Sequence, residues 1–233
     1  SIEASPGGTL PLMLRGDNHC VPITYRLPDA SAQDKSAVLL AGLNTPGITR
    51  VVDPVPTRDH TERMLAGFGA AIDVTEDNGE RIISVHGEAN LSPMDVTVPG
   101  DPSSAAFFMV AASIVPGSDL VIRNVGLNPT RAGLLHMLRH MGADITEIAP
   151  RNVGGEPVAD LRVRHAQLTG IEVDPAIAPA MIDEFPVLFV AAALARGTTG
   201  TSGLDELRVK ESDRLATMAA ALALVGARVE DHA

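Results

Sequence analysis

The chain has 233 residues, enough for one large hydrophobic core or two smaller ones, and its 45% hydrophobic and 20% charged residues are typical of a globular protein. A formal net charge of -11, the absence of tryptophan and a single tyrosine argue against a nucleic-acid partner. The single cysteine, Cys20, excludes an internal disulfide, and the longest apolar run, Phe185 to Ala195, is too short to cross a bilayer, so we predict a cytoplasmic protein without membrane contact.

The sequence repeats a pattern of predicted elements three times, with a period of about 70 to 80 residues. Each copy opens with an apolar run of helical length that ends at a glycine, which is a common helix stop. These runs are residues 37–47, 105–117 and 186–197, and a short β-like stretch follows each of them, at residues 49–52, 119–123 and 198–204. The recurrence predicts a first helix and a first strand in every copy.

A second, amphipathic helix follows in each copy. It opens with polar residues and ends at a Gly-Ala pair, within residues 57–70, 129–143 and 211–227. Apolar residues at helical spacing predict one dry face on these helices. The residues that share a face are Leu134, Leu138 and Met141 in one helix, and Leu215, Met218, Leu222 and Val225 in another. Alternating apolar residues then predict strands and hairpins at residues 71–74, 81–85, 145–148 and 160–163.

The repeated order of helix, strand, helix and strands predicts an α/β fold of tandem units, with sheets on the outside and helices in the middle. The first helices are apolar nearly all round, so we expect them to be buried on every side. The alternative is a generic α/β protein in which the Gly-Ala pairs reflect only a composition rich in both residues. The terminal glycine, the arginine near the second helix and the Gly-Ala end recur in register, which favours the repeat.

Several polar positions are suited to binding phosphate or carboxylate groups. Ser31-Ala32-Gln33 opens a predicted helix, whose N-terminus presents unpaired N–H groups, although a serine there is equally explained as a helix cap. Arg58 opens the second helix of the same copy, and Lys210 and Arg214 flank a later one. Arginine pairs bidentately with phosphate oxygens, whereas lysine acts as a point charge.

Two acidic positions complete the candidate site. Asp183 lies at the start of a predicted buried helix, where a carboxylate could cap the helix or accept a proton from a substrate hydroxyl. Glu211 lies between Lys210 and Arg214, which share a helical face if that helix begins early enough. Considered alone, this second motif is a surface salt-bridge pattern.

In their order along the chain, these motifs carry a family resemblance. Ser31-Ala32-Gln33, Thr57-Arg58-Asp59-His60, Asp183-Glu184 and the block from Lys210 to Arg214 resemble the 5-enolpyruvylshikimate-3-phosphate synthases. The resemblance spans nearly the whole chain and implies part of a two-domain, inside-out α/β barrel made of βαβαββ-type units. It also implies that the stretch at residues 98–104, otherwise an ordinary loop, is a crossing between domains. This assigns residues 1–100 to the first domain and 101–233 to the second.

The resemblance implies transfer of the enolpyruvyl group from phosphoenolpyruvate to the 5-hydroxyl of shikimate 3-phosphate, in the shikimate pathway, without a metal or cofactor. By similarity, Asp183 would orient or deprotonate the hydroxyl and Glu211 would exchange a proton with phosphoenolpyruvate, so these two are the candidate catalytic residues. The substrate-binding residues that it implies are Ser31, Ala32, Gln33, Arg58, Asp183, Lys210 and Arg214. Among them, Gln33 and Arg214 would reach phosphoenolpyruvate.

The chain departs from the family pattern in what it lacks. It has no opening Lys-Ser-x-x-x-Arg segment, and it also lacks the family's Gly-Thr or Gly-Ala loop with its downstream arginine and the C-terminal Asp-His-Arg and lysine blocks. We therefore expect a fragment, a proteolysed core or one part of a split enzyme, inactive alone and associating with the missing part or with itself through exposed apolar edges. The alternatives are a UDP-N-acetylglucosamine enolpyruvyl transferase, which lacks the Ser-Ala-Gln-x-Lys and Lys-Glu-Ser-Asp-Arg blocks, and a non-catalytic module of the same repeats.

Overall fold

A computed structural model describes residues 2–16 and 20–231 of the chain. These residues divide into two compact units. The first unit contains the described residues up to Val55 together with Phe68–Pro93, and the second contains Pro56–Gly67 and the described residues from Met94 onward. No helix in the described ranges has the length and apolar character needed to cross a membrane.

The first unit contains a two-stranded hairpin and a four-stranded sheet covered by a helix. In chain order, its elements are β1 (Ile2–Ser5), β2 (Thr9–Leu14), β3 (Thr24–Arg26), α1 (Ala32–Leu43), β4 (Ile48–Asp53), β5 (Ile72–Asp77) and β6 (Glu80–His86). The larger sheet has the order β3-β4-β6-β5; β3 and β4 are parallel and the other neighbours are antiparallel.

Helix α1 packs on β4 and β6 around a small core. Leu39 of the helix and Val51 and Val85 of the strands are fully buried. The helix approaches the sheet closely because residue 42 is a glycine; a Cβ atom there would lie 2.7 Å from Cγ1 of Val85. Leu40 on another face is exposed. The prediction that the first helices are buried on every side is therefore wrong for α1, which has the sheet on one face only.

The second unit contains most of the helices and a three-stranded sheet. Its elements are α2 (His60–Gly67), α3 (Pro102–Ile114), β7 (Asp119–Gly126), α4 (Gly133–His140), β8 (Asp144–Val153), β9 (Glu156–Arg164), α5 (Phe185–Ala193) and α6 (Arg214–Leu224). Short 3-10 helices lie at Pro175–Ala180, Ile182–Glu184 and Asp205–Arg208. The sheet order is β7-β9-β8, and both pairings are antiparallel.

Helix α5 lies at the centre of the second unit, where it packs against α3, α4 and α6. Phe185 and Leu188 are fully buried, and the burial of each such side chain contributes about 1.5–3 kcal/mol. Leu134, Leu138 and Met141 are also buried, as predicted for the dry face of the helix that begins near Arg131. This core fixes the start of α5, where the candidate acid Asp183 is located.

Two expectations about the second unit are wrong. Helix α3 is not buried on every side, because Phe107 and Phe108 are 66% and 60% exposed on a face that no described element covers. Residues 198–204 form no strand and make one isolated bridge, from Gly200 to Glu172. The glycines at 200 and 203 explain this, since glycine weakens a strand.

Helix α6 lies at the edge of the second unit, and no residue of this fully described helix is buried. Leu215, Met218 and Leu222 are half-buried, whereas Val225 follows the last helical residue and is exposed. The predicted dry face of this helix is therefore formed only in part.

The units do not follow the predicted domain limits residue for residue. The predicted boundary lies after Gly100, whereas the units divide between Pro93 and Met94. Residues 56–67, including Arg58, fall within the predicted first domain but pack in the second unit. The assignment of residues 1–100 and 101–233 to the two domains of the family fold stays a prediction.

Candidate active site

Ser31-Ala32-Gln33 lies in the first unit at the start of α1. The Ser31 hydroxyl accepts a hydrogen bond from the backbone N–H of Asp34 at 3.2 Å, which is the role of a helix cap. Ala32 is the first residue of the helix, and the side chain of Gln33 is exposed. The motif thus forms a helix N-terminus that is accessible to a ligand.

A buried ion pair holds the first turn of α1 in place. Nζ of Lys35 lies 3.3 Å from Oδ2 of Asp53, the last residue of β4, and both side chains are completely buried. Charges inside a protein are tolerated only when they are paired, because removing them from water is costly. The pair therefore fixes the helix start that carries Ser31 against the sheet of the first unit.

Asp183 is the centre of a charged cluster in the second unit. It lies in the 3-10 helix Ile182–Glu184, directly before α5, and its side chain is 38% exposed. Nη2 of Arg58 donates a hydrogen bond to its Oδ2 atom at 3.1 Å, and Nη1 of Arg214 donates one to its Oδ1 atom at 3.3 Å. One carboxylate therefore joins two arginines from distant parts of the sequence.

The block from Lys210 to Arg214 supplies the rest of the cluster. Nη2 of Arg214 donates a hydrogen bond to Oε2 of Glu211 at 2.6 Å, so Arg214 bridges the two candidate catalytic carboxylates. Nζ of Lys210 pairs with Oε1 of Glu206 at 2.5 Å. Helix α6 begins only at Arg214, so Lys210 precedes it and the two cations do not share a helical face. The candidate residues that the second unit brings together are Arg58, Asp183, Lys210, Glu211 and Arg214.

Both carboxylates have pKa values below the usual range. Burial raises the pKa of Asp183, but the hydrogen bond and charge of Arg58, the charge of Lys210 and the hydrogen bond of Arg214 outweigh this and lower it. The pKa of Glu211 is lowered first by a hydrogen bond from its own backbone N–H and then by Arg214. Both groups are therefore ionised at neutral pH in this arrangement.

Two residues beside the cluster, Ser103 and Arg131, are absent from the predicted site residues. The Ser103 hydroxyl donates a hydrogen bond to the carboxylate of Glu184, which is only 3% exposed. Nη2 of Arg131 donates to the same hydroxyl at 2.6 Å. The repeat is the signal that could have found Arg131, because Arg58, Arg131 and Arg214 take the same place in the three copies.

The comparison with known proteins identifies the family. The family model of EPSP synthase, 3-phosphoshikimate 1-carboxyvinyltransferase, matches residues 1–233. This chain belongs to the EPSP synthase family. The 3-phosphoshikimate 1-carboxyvinyltransferase of Novosphingobium aromaticivorans is 69% identical over 232 residues, which are 99% of this chain and 52% of that protein. The chain spans about half the length of the curated EPSP synthase relatives that it matches.

Solved structures share the fold. The EPSP synthase of Acinetobacter baumannii has a TM-score of 0.84 and 48% identity, over 94% of this chain and 49% of that chain. The enolpyruvyl transferase NikO of Streptomyces tendae has a TM-score of 0.57 over 79% of this chain and 44% of its own, and at 20% identity it shows the fold alone. The predicted α/β fold and the predicted resemblance to the EPSP synthase family are confirmed.

Proposed function

We propose that this chain supplies part of an active site that transfers the enolpyruvyl group of phosphoenolpyruvate to the 5-hydroxyl of shikimate 3-phosphate. The observation that carries the proposal is the position of Asp183 between Arg58 and Arg214. The charge of Lys210 also acts on this carboxylate. Both substrates are phosphorylated anions, so their site needs several cations beside the acids that act on them.

The binding residues divide between the two substrates. Arg214 binds phosphoenolpyruvate, toward which Gln33 also reaches. The residues that bind shikimate 3-phosphate are Ser31, Ala32, Gln33, Arg58, Asp183 and Lys210. Arg58 and Lys210 supply positive charge, while the start of α1 supplies backbone N–H groups and partial positive charge.

Asp183 and Glu211 act on the reacting atoms. Glu211 gives a proton to the methylene carbon of phosphoenolpyruvate, and the 5-hydroxyl oxygen bonds to the adjacent carbon as its own proton passes to Asp183. The carbon–oxygen bond to phosphate then breaks, and the departing phosphate takes the proton held by Asp183. A proton from the new methyl group returns to Glu211, which restores the carbon–carbon double bond and both starting carboxyl groups. No external agent oxidises or reduces an atom, so no electron carrier takes part.

The ion pair between Arg214 and Glu211 links substrate binding to proton transfer. Glu211 must carry a proton in order to give one, yet its own backbone N–H and Arg214 hold its pKa down. When phosphoenolpyruvate draws the Arg214 guanidinium to itself, the pKa of Glu211 rises. Binding of the enolpyruvyl donor therefore prepares the acid that protonates it.

The setting of the reaction follows from the proposal. We place it in the cytoplasm, as a step of the shikimate pathway toward the aromatic amino acids. The curated relatives are about twice as long as this chain. We therefore propose that the 233 residues alone show no turnover and act with the remaining part of the enzyme, with self-association as the alternative.

The test is Asp183→Asn in a protein that carries these residues together with the segments by which the relatives are longer. We expect kcat for phosphate release from the two substrates to fall about 100- to 10,000-fold, because an amide fills the same space but cannot accept the hydroxyl proton. Asp119→Asn is the control, since it removes an exposed carboxylate that pairs with Arg162 instead, at 2.6 Å. Turnover that survives Asp183→Asn, or that is absent from the unsubstituted protein, contradicts the proposed function.

A further inference from the structure

Residues 127–132 connect β7 to α4 and are named the bracket loop. Two of its polar residues are largely buried: Asn128 is 2% exposed, and the side chain of Arg131 is 14% exposed. A buried polar side chain needs hydrogen-bond partners, because leaving it unpaired costs free energy. Among the residues that they contact, Asp59 and Glu184 directly follow Arg58 and Asp183 in the chain.

Asn128 holds the segment that carries Arg58. Its Nδ2 atom donates hydrogen bonds to Oδ1 of Asp59 at 2.6 Å and to Oε2 of Glu156 at 2.9 Å. Its Oδ1 atom accepts a hydrogen bond from the backbone N–H of Thr130 at 2.9 Å, which fixes the orientation of the amide. Asp59 directly follows Arg58 and also accepts a hydrogen bond from Nε of Arg63 at 2.9 Å, so the bond from Asn128 helps to fix the backbone of Arg58.

Arg131 holds the residue that follows Asp183. Its Nη2 atom donates hydrogen bonds to the Ser103 hydroxyl and to Oδ1 of Asp101, the latter at 3.2 Å. The same atom lies 3.9 Å from Oε1 of Glu184, the atom to which the Ser103 hydroxyl donates. Within the described part of the chain, Oε2 of Glu184 has no hydrogen-bond partner. The contacts from Ser103 and Arg131 are therefore what fixes this buried carboxylate.

Asn128 and Arg131 of the bracket loop act in the same way, since each contacts a carboxylate that directly follows a member of the Arg58–Asp183 pair. These carboxylates are Asp59 and Glu184. We propose that the bracket loop positions this pair, with Arg131 and Ser103 as positioning residues rather than substrate ligands. Holding the next residue limits the motion of the backbone from which the reacting side chain projects. A displacement of about 1 Å at a reacting group can cost about 100-fold in rate.

The repeat in the sequence supports the proposal. Arg58, Arg131 and Arg214 occupy corresponding places in the three copies. Two of these arginines bond to Asp183, and Arg131 approaches Glu184, the residue beside it. One repeated position thus supplies two direct contacts to Asp183 and one support for its neighbour.

Ser103→Ala tests the proposal through the loss of a single hydroxyl. We expect the pKa of the Asp183 carboxyl, followed by carbon-13 NMR, to rise by up to about one unit, because a loosened Glu184 lets Asp183 move away from its cations. Ser113→Ala is the matched control, since this hydroxyl of the same helix, α3, donates to the backbone carbonyl of Met109 at 2.8 Å. The charged groups around Asp183 are Arg58, Lys210 and Arg214, with Glu211 bonded to Arg214 and Glu184 adjoining in the chain. All variants are made in the full-length protein defined above.

A second measurement, the dissociation constant for shikimate 3-phosphate, rests on the proposed function. We expect Ser103→Ala to weaken binding about tenfold, the equivalent of one lost hydrogen bond to a charged group. When Asp183→Asn is already present, the same substitution should change the affinity little, because Ser103 acts through Asp183. A purely structural role would give the same change in both backgrounds.

The outcomes separate the two proposals. An unchanged Asp183 pKa, or equal affinity changes in both backgrounds, overturns the positioning role. If Ser103→Ala does not fold, Arg131→Lys replaces it, because lysine keeps the charge and loses the planar fork, and Arg139→Lys in α4 is its control. A protein that binds no shikimate 3-phosphate, while its Asp183 pKa still responds to Ser103→Ala, overturns the proposed function and retains the bracket loop.

Discussion

Arg214 contacts two carboxylates that have different tasks in the proposed reaction. Asp183 also has Arg58 and Lys210 to lower its pKa, whereas Glu211 relies on its own backbone N–H and on Arg214, with a smaller effect of Lys210. The loss of Arg214 should therefore change Glu211 more than Asp183. A larger rise in the pKa of Glu211 than in that of Asp183 would show that Arg214 acts through its direct contacts, because a general change in the charge of the site would raise both values equally.

Arg214→Gln should raise the pKa of Glu211 toward its ordinary value and raise that of Asp183 less. The physical reason is the loss of the 2.6 Å hydrogen bond and of the positive charge beside Glu211. A carbon-13 NMR titration of the two carboxyls measures both values. Arg162→Gln is the control, because this arginine bonds to Asp119 instead, at 2.6 Å. Equal rises for the two carboxyls would contradict the prediction.

At the scale of single elements, the Lys35–Asp53 pair is expected to hold α1 on its sheet. Lys35→Met should lower the free energy of unfolding by about 3–5 kcal/mol, because it leaves the carboxylate of Asp53 buried without its cation. Urea denaturation of the 233-residue chain measures the change through the midpoint at an unaltered slope.

The exposed pair Arg26–Glu80 in the same sheet provides the control for that experiment. The side chain of Arg26 is 58% exposed, so water and salt screen its charge. Arg26→Met should leave the urea midpoint nearly unchanged. If Lys35→Met shifts the midpoint no more than Arg26→Met does, the buried pair is not what holds α1.

The helices show what an apolar pattern can and cannot predict. The run beginning at Ala105 lies almost wholly within α3, because its residues form the core. The same pattern predicts α1 only from residue 37, whereas the helix begins at Ala32. The first turn of α1 is polar, and it includes the buried Lys35, which pairs with Asp53, 18 residues away in the sequence. The spacing of apolar residues does not reveal such a pair.

The site shows a similar division. Motif order predicts the residues Arg58 and Asp183, but their contact joins positions 125 residues apart and depends on the fold. Glu184 also lies within a predicted motif, yet the contacts of its carboxylate come from Ser103 in α3 and Arg131 in the bracket loop, neither of which has a distinctive local pattern. A motif can therefore be found from the sequence, whereas its long-range partners are found only from the three-dimensional structure.

At the scale of the whole chain, the exposed face of α3 is a departure from the expected burial. Phe107 and Phe108 lie side by side on it, and exposed apolar groups favour association. We expect the isolated 233-residue chain to self-associate, and Phe107→Ser combined with Phe108→Ser to shift it toward the monomer. Sedimentation velocity over a range of concentrations measures the distribution.

Leu40→Ser is the control for this prediction, because Leu40 is an exposed apolar residue on a different helix, α1. It should leave the sedimentation pattern close to that of the unsubstituted chain. An unsubstituted chain that remains monomeric at high concentration would contradict the prediction. So would an equal loss of association in the α1 and α3 variants.

The recurrence of arginine at three corresponding places has a consequence for how such an enzyme can evolve. When a unit is duplicated in tandem, each copy carries the same side chains at corresponding positions. A copy of the arginine that contacts the neighbour of a reacting group rather than the group itself, as Arg131 does, can mutate without the loss of a contact to the substrate. Position 131 is then a place where selection or an engineer could adjust the pKa and the substrate affinity of the site together, without removing a residue that contacts the substrate.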